Sequence, residues 1–234
     1  MNYGSQFLWV VYPYLMLTVF LVGHIYRYKT DQLSWTAKSS EFLEKKQLRL
    51  GSMLFHIGIF LVLGGHLVGL LVPKWALENM GVTEELYHKG AVYGGGLVGI
   101  VTLAGIAILL FRRVTVTRVR VTSSISDILV AVLLLIVIGM GVYNTLGYNL
   151  LVGEYDYRET IAPWIRGLLT FTPNPSLMDG APLFFKMHVI FSFAIFGIWP
   201  FTRLVHVWSF PIEYFRRSYI VYRSRNPEKV FHVK

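Results

Sequence analysis

Long apolar runs separated by short charged segments set the pattern of the chain. Residues 1–26, 50–73, 90–111 and 128–153 hold no Asp, Glu, Lys or Arg. A fifth run, 187–202, is shorter. Apolar residues continue across Lys186 and Arg203, whose long side chains can snorkel to an interface. A bilayer core about 30 Å thick is crossed by roughly 20 apolar residues in a helix. The pattern therefore predicts five transmembrane helices, near 7–27, 50–73, 90–112, 126–147 and 182–208. The expected fold is an all-α integral membrane bundle, one domain over 1–234 with a tail at 209–234. There is no internal repeat or linker. The N-terminus lacks the basic stretch of a cleaved signal, and Tyr12-Pro13-Tyr14 lies inside its apolar run, so the first span is expected to stay in the mature protein.

The connections carry their own patterns. Segment 153–181 is the longest, with turn residues Pro173, Pro175 and Gly180 near its end. Within it Trp164, Ile165, Leu168 and Leu169 predict a short helix lying in the interface. Segment 33–49 mixes Trp35, Phe42, Leu43 and Leu48 with charge and also reads as a surface helix.

Charge fixes an orientation. Seventeen of the 22 Lys and Arg fall on one side, in the segments after the first and third spans and at the C-terminal end. The other side keeps Lys74, Lys89, Arg158, Arg166 and Lys186, with seven of the 13 acids. The positive-inside rule then puts the N-terminus outside and the C-terminus in the cytoplasm of a multi-pass cell-membrane protein. The formal net charge of +9 is thus a topology signal rather than a nucleic-acid footprint. Composition agrees: 54% of residues are hydrophobic and only 15% charged. The absence of cysteine excludes disulfides, Cys-ligated zinc, iron–sulfur clusters held by this chain and covalent haem attachment.

Ionisable residues inside spans are expensive and are functional candidates by default. His56 and His66 lie on the second span, and His188 and His206 on the fifth. Antiparallel packing pairs His66 with His188 at the outer level and His56 with His206 at the inner level. At 1.5 Å per residue the first two differ in height by about 15 Å and the second two by about 27 Å, so tilt and a kink at Pro200 must absorb the difference. On straight helices His188 and His206 share a face, while His56 and His66 stand about 80° apart. Two facing histidine pairs at two depths suit two bis-histidine haems of b type, which need no cysteine. Gly58, Gly64, Gly65 and Gly69 would admit a flat macrocycle or simply serve helix packing. Lys186, Arg203 and Arg112 are candidate propionate partners, or plain interfacial anchors. His24 reads more simply as a hydrogen-bond partner of a neighbouring helix.

Leu54-Phe55-His56-Ile57-Gly58, Gly65-His66, Met187-His188 and Phe201-Thr202-Arg203-Leu204-Val205-His206-Val207-Trp208 together resemble the gamma subunit of respiratory nitrate reductase, a dihaem cytochrome b. The resemblance extends to Tyr12-Pro13-Tyr14, Arg27-Tyr28, Thr36-Ala37-Lys38-Ser39-Ser40, Ser126-Asp127-Ile128-Leu129 and Pro211-Ile212-Glu213-Tyr214. It implies that His56, His66, His188 and His206 are the axial ligands of two haem b groups. It also implies that membrane quinol is oxidised beside the outer haem. Electrons would then pass to an iron–sulfur beta subunit and a molybdenum catalytic alpha subunit on the cytoplasmic side, where nitrate is reduced to nitrite. The quinol site would lie around Gly65 and the loop before the third span, whose Lys89, His88 and Tyr87 can offer hydrogen bonds. This loop is one residue longer than the family pattern, which leaves the match of Lys89 open. The tail Pro211–Lys234, aromatic and basic, is expected to lie against a soluble partner. Two other readings compete: a quinone-linked dihaem cytochrome b of another reductase, of sulfur-metabolism or heterodisulfide-reductase type, and a haem-free channel or transporter that uses membrane histidines.

Overall fold

The computed structural model describes residues 3–31, 35–36 and 39–208, and every regular element among them is helical. Five helices are long and apolar enough to cross a bilayer. In chain order the helices are α1 (Tyr3–Thr30), α2 (Lys46–Leu71), α3 (Lys74–Asn79), α4 (Glu84–Thr115), α5 (Thr117–Val121), α6 (Ile125–Leu151), α7 (Ile161–Leu169) and α8 (Leu183–Ile198). The chain is thus a multi-pass membrane protein, as its apolar pattern predicts. The spanning helices run past the apolar runs at most ends. Polar flanks can leave the hydrocarbon and still keep their backbone hydrogen bonds by staying helical.

The spans pack in the order α2–α4–α6–α8–α1, with α2 against α4 the most extensive contact. Glycines set that closeness. A Cβ on Gly58 would run into Thr102, and one on Gly105 would run into the backbone of Phe55. Small residues let membrane helices approach where lipid supplies no hydrophobic drive for association.

At the end of the bundle that carries α3 and α7, the Tyr12-Pro13-Tyr14 motif joins three elements. Pro13 has no N–H, so the carbonyl of Trp9, four residues back, lacks its helical donor. The indole N–H of buried Trp164 on α7 donates to it at 2.9 Å. Tyr12 donates to Ile190 O of α8 at 2.9 Å and Tyr14 to Leu168 O of α7 at 3.0 Å. Arg166 of α7 donates to Leu70 O at 3.0 Å, closing an open carbonyl near the α2 C-terminus.

Three expectations change. The fifth span does not run to 208: its α-helix ends at Ile198 and gives way to 3₁₀ turns at Trp199–Phe201 and Arg203–Val207, separated by extended Thr202. Pro200 cannot donate within a helix and breaks the span rather than kinking it. His188 and His206 therefore do not sit on one continuous helix. Second, the described part of segment 33–45 forms bends and a turn at 41–43, not a helix. Glu44 is diverted to the start of α2, where its carboxylate accepts from Gln47 N (2.9 Å) and Leu48 N (3.2 Å). Third, the helix at 161–169 forms, but Trp164 and Leu168 are buried against Trp9 and Phe193, so its apolar face serves the bundle rather than the lipid. The tail at 209–234 lies outside the described residues.

Replacing Gly105 with Ala is expected to cost about 1–3 kcal/mol through overpacking against Phe55. Gly90, whose Cβ position is open, should accept Ala with no loss. Thermal unfolding of the detergent-solubilised protein distinguishes the two: the midpoint falls for Gly105→Ala and not for Gly90→Ala.

Candidate functional site

The four histidines meet in two pairs. The rings of His66 and His188 have centroids 6.1 Å apart and planes 25° apart. Those of His56 and His206 are 6.0 Å apart at 74°. The structure thus brings together the two pairs that antiparallel packing sets side by side, although the break at Pro200 alters how they are reached. The 3₁₀ turn at 203–207 brings His206 back to the level of His56, which absorbs the mismatch in height. α2 and α8 are not among the close-packed helix pairs of the described residues, so the histidines reach across the space between them.

One hydrogen-bond pattern recurs at all four rings. Nδ1 of His56 meets Ser52 O at 2.8 Å, His66 meets Val62 O at 2.8 Å, His188 meets Val137 O at 2.9 Å and His206 meets Arg203 O at 2.7 Å. A carbonyl only accepts, so each Nδ1 carries the proton and each neutral ring keeps its lone pair on Nε2. That is the tautomer that binds a metal, with the backbone carbonyl fixing the ring's orientation.

A metal held between two imidazoles lies about 2.0–2.1 Å from each nitrogen, and adding about 1.1 Å to each ring centre puts the centroids roughly 6.3 Å apart. Both pairs match this span. Among the described residues no group of three or more His, Asp or Glu side chains could hold a metal ion. A pair is enough only for a metal that brings its remaining ligands with it.

His188 depends on a residue that the sequence reading passed over. A Cβ on Gly141 would stand 3.1 Å from the His188 ring. Gly141 is also the helical donor partner of Val137, four residues on, so its bare backbone gives His188 access to the Val137 carbonyl. A glycine on an apolar helix carries no mark of this in sequence.

The candidate propionate partners are placed differently from one another. Arg203 lies 3.8 Å from Asp127, three residues from His206. Lys186 donates to Asp179 O at 2.9 Å. Arg112 is buried, and its guanidinium is taken up by Glu44 Oε2 (2.6 Å), Ser40 and the Glu44 carbonyl.

Of the other candidates, Gly65 has open space where a Cβ would stand. His88 Nε2 lies 3.5 Å from Glu154, and Lys89 pairs with Glu85 at 2.5 Å. Close by, one helical turn beyond His66, Gly69 is covered by the hydroxyls of Tyr87 and Tyr157, 2.7 Å apart. Arg158 stacks on Tyr87, 3.7 Å from the ring centre, and pairs with Glu84 and with Asp156 (3.1 Å). Lys74 completes the cluster against Asp156 (2.5 Å) and Glu159 (2.8 Å). Burial works against ionising Asp156, but Lys74 and Arg158 outweigh it and hold its pKa down at about 2. Burial raises the Tyr157 phenol well above its ordinary value, reinforced by Tyr87. This cluster ties segment 153–160 over the end of α2.

The fold and site define a multi-pass helical membrane protein with two pairs of neighbouring histidine rings. The family model for the nitrate reductase gamma subunit matches residues 5–225. The nitrate reductase gamma chain of Bacillus subtilis (strain 168) is 49% identical over 95% of this chain and 100% of its own length. The respiratory nitrate reductase 2 gamma chain of Escherichia coli (strain K12) is 38% identical over 96% of this chain and 99% of its own. The nitrate reductase-like protein NarX of Mycobacterium tuberculosis (strain ATCC 25618 / H37Rv) is 40% identical over 94% of this chain, matching 34% of that protein. The chain belongs to the nitrate reductase gamma subunit family, and is a membrane subunit of a nitrate reductase complex.

The Asp156 latch gives a pH dependence. A carboxyl whose folded pKa lies below its unfolded value of about 3.9 contributes stability that is complete above that value and fades as pH falls towards 2. Asp156→Asn is expected to lower the thermal midpoint at pH 6 and to lower it much less near pH 2, where the native carboxyl is already half protonated. Equal midpoints at both pH values would show that the latch carries no stability.

Proposed function

We propose that this chain is the quinol-oxidising dihaem cytochrome b subunit of a respiratory nitrate reductase, a single membrane domain with its arginine-rich end and C-terminus in the cytoplasm. The observation that carries the reading is the pairing of four Nε2-free imidazoles at the centroid separation of a bis-imidazole metal. His66 and His188 would hold the outer b-type haem, and His56 and His206 the inner one. When bound, the two haems supply one-electron redox centres at two depths, and so a route for electrons across the bilayer.

The residues of this chain do the rest. The backbone carbonyls that accept from each Nδ1 raise the basicity of the ligands and set their ring planes. Arg203 sits at the inner pair, where it can face an anionic propionate once Asp127 yields, and Lys186 stands near the outer pair.

Quinol would bind near Gly65 and His66, where a bare backbone lets a planar ring approach. Its two protons leave on the outer side while its electrons cross inward, so charge moves across the membrane without a proton channel. His88, with Glu154 beside it, is a candidate proton acceptor near the start of α4, where the structure has helix in place of the expected loop, and Lys89 offers a hydrogen-bond donor. The absence of cysteine assigns the iron–sulfur work to a neighbouring chain, a beta subunit, with nitrate reduced in a molybdenum alpha subunit on the cytoplasmic side.

Substituting His66 or His188 with Ala is expected to remove one of two b-type haems, read as half the reduced-minus-oxidised absorbance. Quinol-driven nitrate reduction falls to background, while a soluble artificial donor that reaches the cytoplasmic subunits directly still supports it. Loss of both haems, or retention of quinol activity, would overturn the assignment. Gly141→Val keeps every ligand, yet it is expected to displace His188 and broaden or halve the same bands.

A further inference from the structure

At the arginine-rich end of α1 a groove of about 390 Å³ opens at the surface of the bundle. None of the four paired histidines lines it; Phe20, His24, Tyr28 and Lys29 of α1 do, with Trp35 and Trp208 closing it. Aromatic rings form its walls. Phe20 and His24 have centroids 4.5 Å apart, Tyr28 and Trp35 5.3 Å, and His24 and Trp208 6.2 Å.

Two polar atoms in this groove are buried without a partner among the described residues: His24 Nε2 and Trp35 Nε1. The His24 Nδ1 is 2.7 Å from the carbonyl of Phe20, so it carries the proton, and Nε2 is an acceptor that needs a donor. The Trp35 indole is a donor only and needs an acceptor. Buried polar groups left unpaired are costly, more so beside hydrocarbon. The two rings stand 6.3 Å apart and nearly perpendicular. An occupant must therefore both give and take hydrogen bonds, and a hydroxyl does both.

Depth narrows the choice. His24 is five residues from Lys29 along α1, about 7.5 Å deeper at 1.5 Å per residue. A phospholipid with its phosphate near Lys29 brings mainly ester carbonyls to that depth. Carbonyls accept from Trp35 but give nothing to His24. An aromatic ring bearing a hydroxyl fits between the aromatic walls and satisfies both atoms, and its apolar tail can leave through the open side.

We propose that this groove is a second binding site for a hydroxylated aromatic amphiphile of the membrane quinol class, held by His24 and Trp35 at the level opposite the His66–His188 pair. The proposal concerns binding and adds no redox step. It does not rest on the outer quinol site, because the two sites are read separately below.

The test uses the intact membrane complex in proteoliposomes. A hydroxyquinoline N-oxide is titrated by its own fluorescence, and a prenylated azido-naphthoquinone is photo-cross-linked and mapped to peptides. Two bound equivalents per chain are expected, with label on the peptide spanning 20–35 or on Trp208. His24→Leu and Trp35→Phe should each weaken one equivalent by about tenfold or more, with unchanged haem spectra. His66→Ala should remove only the other equivalent. Trp35→Phe lies outside the spans and carries the test should His24→Leu fail to assemble. One equivalent unaffected by either variant, label confined to other peptides, or a copurifying phospholipid that is lost in His24→Leu in place of the probe would overturn the proposal.

Discussion

Hydrocarbon offers no hydrogen-bond partner, and the whole arrangement follows from that constraint. Every backbone group inside the bilayer must be satisfied by the protein itself, which is why the spans are helices. Where the helical ladder is interrupted, the freed group becomes a joint. Pro13 leaves the carbonyl of Trp9 open, and Trp164 takes it, which draws α7 onto α1. The carbonyl of Pro200, beyond the end of α8, accepts from Arg27 at 2.6 Å and ties that end back to α1. The same rule orients the site. Each of the four paired histidines anchors Nδ1 on a carbonyl, which fixes the ring and leaves Nε2 outside that bond.

Charge is held at the two ends and works differently at each. Arg112 lies buried against Glu44 and Ser40, where removal of one partner would leave an uncompensated charge. It is therefore a clamp between the 40–44 segment and α4. Arg113 and Arg203 share Asp127, which also closes a capping box with Ser124 at the start of α6. At the opposite end Lys74, Arg158, Asp156 and Glu84 form a network rather than isolated pairs, and networks of partly buried charges hold geometry better than single exposed bridges. Through Arg158 on the Tyr87 ring that network reaches the two tyrosine hydroxyls over Gly69, and so it braces the end of α2 beyond His66.

Much of this was legible in the sequence, and the physical reasons differ by feature. The five spans were legible because hydrophobic length is a one-dimensional property. The helix at 161–169 was legible from its apolar spacing, but not the burial of Trp164, since a lipid-facing and a protein-facing stripe have the same spacing. The histidine pairs were legible in outline because antiparallel spans order residues by depth. The break at Pro200 was underread as a kink: a proline in a membrane span is often tolerated, and only the neighbours, here Arg27 taking its carbonyl, decide between bending and ending. Of segment 33–49 the described residues before Lys46 are not helical, because Glu44 spends its carboxylate on the start of α2 and on Arg112, a long-range demand that local composition does not record.

By itself, the sequence determined what must be buried in lipid, which end of the bundle collects the arginines, and which four imidazoles are available at two depths. These are properties of length, composition and order along a helix. The tertiary structure alone decided which nitrogen of each histidine is free, because that depends on a carbonyl from another turn or another helix. It also decided that Gly141 makes room for His188, that Gly105 lets α2 reach α4, and that His24 and Trp35 share a groove. Each of those is a contact across the fold, and its energy depends on distances of a few ångströms that no spacing along the chain encodes.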